Sequence, residues 1–152
     1  MYNALSYVIT YDDLDIDTIR EIKLDEISKN CATAILGGVD VETSVGVEHF
    51  SLEMNDQINI SNNALQAQLG NPTLYHADGQ ECRVFLAQEM LVVAETAVIH
   101  KTYHTTYHNH LKQWIKREED REILCSIIYG IELPDDLADN MTALFGYGGD
   151  IA

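Results

Sequence analysis

Hydrophobic and polar positions along the chain change period several times, and each change marks an element. Residues 5–11 (LSYVITY) are rich in β-branched and aromatic types and read as a strand. The alternating acids Asp12, Asp13, Asp15 and Asp17 follow and read as a solvated helix start, because carboxylates favour the positive end of a helix dipole. Ile19, Ile22, Ile27, Cys31, Ala34 and Ile35 then recur at helical spacing, with Lys23 and Glu26 in the same period, and Gly37-Gly38 stops that helix. Residues 39–43 and 47–52 are short strands flanking the turn Ser44-Val45-Gly46, with Glu48, Phe50 and Leu52 on one face and Val47, His49 and Ser51 on the other. A second helix is predicted over 53–69. Ser51 is its N-cap, Ile58, Leu65 and Leu69 with Ala64 form its inward stripe, and Gly70-Asn71-Pro72 is its stop.

Beyond it, residues 75–79 read as a strand end running into an Asp78-Gly79 turn, with 81–86 returning. A long helix follows over 87–116, uninterrupted by Gly or Pro. A fourth helix is expected over 119–129, ending at Gly130, and a last one with Pro134 at its first position and Asp135 and Asp136 in its first turn. The Gly146-Tyr147-Gly148-Gly149 segment reads as a mobile tail. The pattern predicts a helix-rich α+β fold, a single domain over 1–152, with small antiparallel hairpins packed on a long helix.

Charge changes the functional picture more than the structural one. Acids outnumber bases 25 to 9, a net of −16. Phosphate contacts need Lys and Arg, so direct nucleic-acid binding is not expected, nor is docking on an anionic membrane. Residues 1–82 hold three bases and fourteen acids, and residues 83–152 six bases and eleven acids. Five of the bases, Lys101, Lys112, Lys116, Arg117 and Arg121, lie close together in sequence and read as a solvated flank offsetting the acidic remainder. The start of the sequence lacks a signal-peptide pattern, and no apolar run approaches the ~18 residues that span a bilayer. Synthesis and folding in a cytosol are therefore expected, with lysis or assembly into a particle as the only routes out of it.

Cys31, Cys82 and Cys125 are far apart and form no CxxC pair, so three reduced thiols packed as small apolar groups are expected. The sharpest local feature is the run from His100 to His110. His100, His104 and His108 stand four apart and share a helix face, a spacing with which two imidazoles can reach one zinc or nickel ion. No third ligand and no HExxH pattern accompany them, and they continue the apolar stripe of their helix, so helix–helix packing is the expectation, with a subunit seam next and metal last. His76, Asp78 and Cys82 could suggest a thiol site, but a hairpin turn accounts for them. No phosphate loop or calcium-loop spacing occurs. No catalytic residue and no cofactor are expected. The interaction candidates are Tyr103, Tyr107 and Trp114, and the acids Asp12, Asp13, Asp15 and Asp17.

Three segments together resemble a known family: Phe50-Ser51-Leu52 with residues 56–60 (DQINI), residues 75–83 (YHADGQECR), and residues 105–112 (TTYHNHLK). The chain resembles, over about residues 18–116, a domain of unknown function found in bacteriophage and prophage proteins, in or beside tail-fibre proteins. Residues 118–146 then form a helical extension. Within that resemblance Asp56 serves the helix start and Ile58 packs inward. The resemblance implies a non-enzymatic tail-associated protein, whether fibre accessory, structural component or assembly chaperone, made in the bacterial host cytoplasm and partnered by phage tail proteins or a host protein; the histidine seam adds a homo-oligomer as a separate possibility. The alternative is a small acidic protein that inhibits a host defence or nucleic-acid-binding protein by mimicking phosphate charge.

Overall fold

The computed structural model describes residues 11–149. The strand expected at 5–11 lies outside them except for Tyr11, which belongs to a 3₁₀ turn at Tyr11–Asp13. The order that follows is α1 (Ile16–Leu36), β1 (Val39–Thr43), β2 (Gly46–Phe50), α2 (Met54–Gln68), β3 (Thr73–Tyr75), β4 (Arg83–Phe85), α3 (Ala87–Arg117), α4 (Arg121–Ser126) and α5 (Asp135–Gly149). The class is α+β, with two antiparallel hairpins, β1–β2 and β3–β4, packed on the long helix α3. The chain divides into two compact units. One runs from Lys29 to His108, and the other holds the residues up to Ser28 and from Asn109 on.

The 29–108 unit is built around aromatic side chains from both hairpins. Val39 pairs with Phe50 and Asp40 with His49, so the two-residue Ser44-Val45 loop sets the register. Val39, Val41 and Phe50 point into the core while Asp40, Glu42, Val47 and His49 face out, as the alternation predicts. Phe50 stacks on Tyr75 at 6.3 Å and meets Phe85 edge-on at 6.0 Å. Met90 and Val93 of α3 belong to the same core. The second hairpin is shorter than expected, Thr73 opposite Phe85 and Tyr75 opposite Arg83. Residues 76–82 form a loop around the Gly79 turn, tied to β2 by the Asp78 N–H on the His49 carbonyl at 2.7 Å.

Gly38 ends α1 with φ +85°, and a Cβ there would collide with the backbone carbonyl of Phe50. Only glycine lets β1 leave the helix this close to the end of β2.

Helix α2 corrects the expected face. Ile58, Leu65 and Leu69 are more than half exposed, whereas Ile60 and Ala67 are buried, with Ala64 packed beside them. The sequence carries two stripes at helical spacing, and periodicity cannot choose between them. The narrower stripe wins because Ala64 and Ala67 join Ala94 and Ala97 of α3 in one core, and small side chains let two helices approach. The predicted cap is also displaced. Glu53 holds the N-cap position without a side-chain bond, Ser51 Oγ accepts the Glu53 N–H at 3.3 Å, and Gln57 Nε2 donates to the Leu52 carbonyl at 2.8 Å.

In the other unit the buried positions of α1 are Ile19, Lys23 and Ile27, four apart. The buried Lys23 side chain has Glu26 at 3.2 Å and the Tyr11 ring 5.2 Å from its Nζ. Leu111, Ile115, Leu124, Ile127, Leu137 and Met141 are buried in the same unit. Helix α4 is shorter than the 119–129 expected. Asp120 caps it by accepting the Ile123 N–H at 3.0 Å, and it ends at Ser126 ahead of the turn at Gly130. Pro134 stands one residue before α5, its carbonyl accepting from Leu137 and Ala138, both at 2.9 Å. The Gly146–Gly149 segment expected to be a tail continues α5.

Candidate protein-interaction surface

Helix α3 carries the histidine run, and packing absorbs it. His100 donates from Nε2 to the Ala34 carbonyl at 2.8 Å, and Cys31 Sγ donates to the His104 carbonyl at 3.5 Å. The His100 and His104 rings lie 4.6 Å apart, edge to face, and Tyr103 stands 5.2 Å from His104. Burial, with His100 nearby, pushes the His104 pKa down. His108 is half-buried. Among the described residues no group of three or more His, Cys, Asp or Glu is placed to hold a metal ion. His110, buried, pairs through Nε2 with Asn140 Oδ1 at 2.9 Å.

The aromatic candidates separate. Tyr107 is buried and stacks with Tyr103 at 6.2 Å, and the Trp114 indole N–H donates to Glu118 at 3.0 Å. Of the three, Tyr103 is the most exposed, at 47%.

Several residues of the acidic start of α1 and of the basic stretch make specific contacts, each within its own unit. Asp15 accepts the Thr18 N–H at 2.8 Å, and that bond lowers its pKa. Asp12, Asp13 and Asp17 are exposed. Arg20 donates to the Ile115 carbonyl and, at 2.9 Å, to the Glu118 carbonyl, filling acceptors left open at the end of α3, and stands 3.8 Å from both Asp17 and Glu119. Arg121 donates to the carbonyls of Leu14, at 2.5 Å, and Tyr11. Arg117 grips Asp136 with both nitrogens at 2.6 and 2.7 Å, and Lys101 donates to Gln57 at 2.6 Å. The expected solvated basic flank is therefore in part an internal fastening.

One constellation goes unannounced by the sequence patterns. Arg83 on β4 reaches Glu48 on β2 at 2.6 Å and Glu89 in the first turn of α3 at 2.9 and 3.1 Å, and lies over the Phe85 ring at 3.7 Å. Ser44 donates its N–H and hydroxyl to Glu89 at 3.0 and 2.8 Å, and Thr43 donates to Glu48 at 2.7 Å. Arg83 holds the Glu89 pKa down at about 2. The available signal is that Arg83 is the only Lys or Arg between Lys29 and Lys101, set among acids. Cys82, next to it in sequence, is exposed; of the three cysteines expected to be packed away, Cys31 is buried and Cys125, in the other unit, is half-buried. His76 Nδ1 turns to the Ala77 carbonyl at 3.0 Å and its ring stacks on Tyr75.

The apolar surface lies on α2. Met54, Ile58, Leu65 and Leu69 are 67, 52, 60 and 75% exposed, at spacings of four, seven and four that bring them to one side of the helix. A groove opens beside them between α2 and α3, lined by Leu52, Ile60, Ala64, Leu65, Ala94 and Val98, with Lys101 and Gln57 among its polar walls. Contiguous apolar surface of this kind marks contact sites. Among the described residues no helix is long and apolar enough to cross a membrane.

A family model described as "Domain of unknown function (DUF4376)" matches residues 18–129, from α1 through α4. No curated protein and no solved structure matches the chain.

Proposed function

The chain belongs to this family of a domain of unknown function, DUF4376, and from that premise we propose that it is a non-enzymatic phage or prophage protein associated with the tail. It serves there as a fibre accessory, structural component or assembly chaperone, and works by binding protein. The observation that supports this is the exposed apolar stripe of α2 with the α2–α3 groove, which lies inside the matched segment. The histidines and arginines that could carry chemistry are engaged instead in joining elements: His100 to α1, Arg83 across both hairpins, and Arg20 to the end of α3.

Mass spectrometry of purified particles beside infected-cell lysate tests the reading. A stoichiometry near that of tail proteins supports a tail component, and co-purification with tail proteins from lysate alone supports a chaperone. Absence of the chain from particles and from every tail-protein complex overturns the proposal.

A second reading has its own observation. Asp17 in the first turn of α1 and Glu119 between α3 and α4 share Arg20, so acids from these two segments gather in one place. Such a concentration suits a basic cleft of a host nucleic-acid-binding protein. Pull-down of a host nuclease whose affinity falls steeply with added salt supports it, and a salt-insensitive complex speaks against it.

A further inference from the structure

We propose that the α2 surface is self-complementary and that its partner is a second copy of this chain, paired antiparallel about a two-fold axis at Ser61–Asn62. This deepens the reading of that surface as a protein-contact site and rests on it. The argument starts from spacing. The exposed stripe Met54, Ile58, Leu65, Leu69 reads the same in both directions, because its steps are four, seven and four. Turning one α2 end for end against another sets Met54 against Leu69 and Ile58 against Leu65, each pair occurring twice, with Ser61 meeting Asn62 at the centre. A two-fold interface requires this property, since residue i meets j while j meets i.

Charge independently selects the same surface. Two copies that each carry −16 repel wherever acids face acids. Residues 57–77 contain no Asp, Glu, Lys or Arg, the longest such stretch in the sequence, and Asp56 is the only charged residue of α2. Under the same two-fold Asp56 falls opposite the Ala67 position, so like charges do not meet. A helix of 15 residues is about 22 Å long and offers less than the ~800 Å² per partner of a standard interface. The dimer is accordingly of modest strength, with a dissociation constant on the order of 10 µM.

Sedimentation equilibrium of the full chain between about 1 and 200 µM tests this in the concentration range expected for such an interface. The expected result is a mass that rises from one chain toward two. Ile58→Lys and Leu65→Glu are each expected to weaken association at least tenfold. Both side chains are more than half exposed, so far-UV circular dichroism should be unchanged. The double variant carrying both changes should recover most of the association, because antiparallel pairing sets the new lysine of one copy against the new glutamate of the other. A wild-type chain that stays monomeric at 200 µM overturns the proposal, as do single variants that still dimerise. Failure of the double variant overturns the antiparallel register. If the chain is monomeric yet Leu65→Glu removes it from particles, self-pairing falls while the protein-contact reading of α2 stands.

Discussion

Arg83 meets Glu89 with both arms of its guanidinium, Nη1 on Oε2 at 3.1 Å and Nη2 on Oε1 at 2.9 Å. The two residues are six apart in sequence, yet they lie on different elements, and the same Nη2 reaches Glu48 of the other hairpin. This contact joins β2, β4 and the start of α3. Glu89→Gln keeps the shape and removes the charge. For a pair this far out of solvent the expected cost is roughly 2 kcal/mol at pH 7, between exposed and fully buried pairs. Glu89 is held down at about 2 from an ordinary 4.5, so its contribution is complete above 4.5 and is lost as pH falls toward 2. Urea unfolding of both proteins at pH 7 and pH 3 measures this. A gap that stays constant between the two would remove the pair from the account.

His49 and His104 are expected to act in opposite directions on the pH–stability curve. His49 holds Asp40 at 2.7 Å and the Gly37 carbonyl at 2.7 Å, and the Asp40 hydrogen bond raises its pKa. Its contribution is present below its ordinary 6.5 and fades as pH rises through the raised value. His49→Asn should therefore lower the Tm more at pH 5.5 than at pH 8.5. His104 is pushed down by burial, so its contribution is present above 6.5 and is lost as pH falls through the lowered value. His104→Gln should flatten the acid side of the curve. Identical pH profiles for wild type and variants would count against both assignments.

Gly38 and Gly70 offer a matched pair of substitutions. Both have positive φ, +85° and +80°, but a Cβ at Gly38 strikes the Phe50 backbone, whereas one at Gly70 meets nothing within 4 Å. Gly70→Ala should cost about 1 kcal/mol, the left-handed penalty alone. Gly38→Ala should cost at least about 3 kcal/mol, because strain and collision act together. Thermal unfolding distinguishes them, and equal costs would show that the exit from α1 tolerates movement.

Arg20 tests the fastening of α3. Its guanidinium serves the Ile115 and Glu118 carbonyls while its side chain is 15% exposed. Arg20→Ala leaves those acceptors without this donor and should cost about 2 kcal/mol, in the range for hydrogen bonds to charged groups. Arg20→Lys should recover only part of that, since one ammonium cannot reproduce the fork. Amide exchange at the end of α3 should accelerate in the alanine variant; unchanged exchange there would argue that water replaces the arginine.

How much was legible in the sequence follows from how local each cause is. Helix α1 and its stop at Gly37-Gly38, the first hairpin with its inward Phe50, and the 31-residue α3 rest on neighbouring residues, and all appear in the structure where they were expected. So do the acids in the first turn of α5 and the packed state of His100. These depend on propensity, caps and turn chemistry within a few positions.

What only the tertiary structure decided involves a choice between locally equivalent options. Helix α2 has two apolar stripes, and the one that faces inward was settled by alanines on α3, thirty residues away, which admit the Ile60–Ala67 side and leave Ile58, Leu65 and Leu69 outside. Arg83 looked like one base among many acids, and became a junction only when two hairpins and a helix start converged on it. Arg20 finds its acceptors ninety-five residues on. Periodicity records that a face exists; which face is covered, and which charge finds which partner, depends on long-range packing that no window of sequence contains.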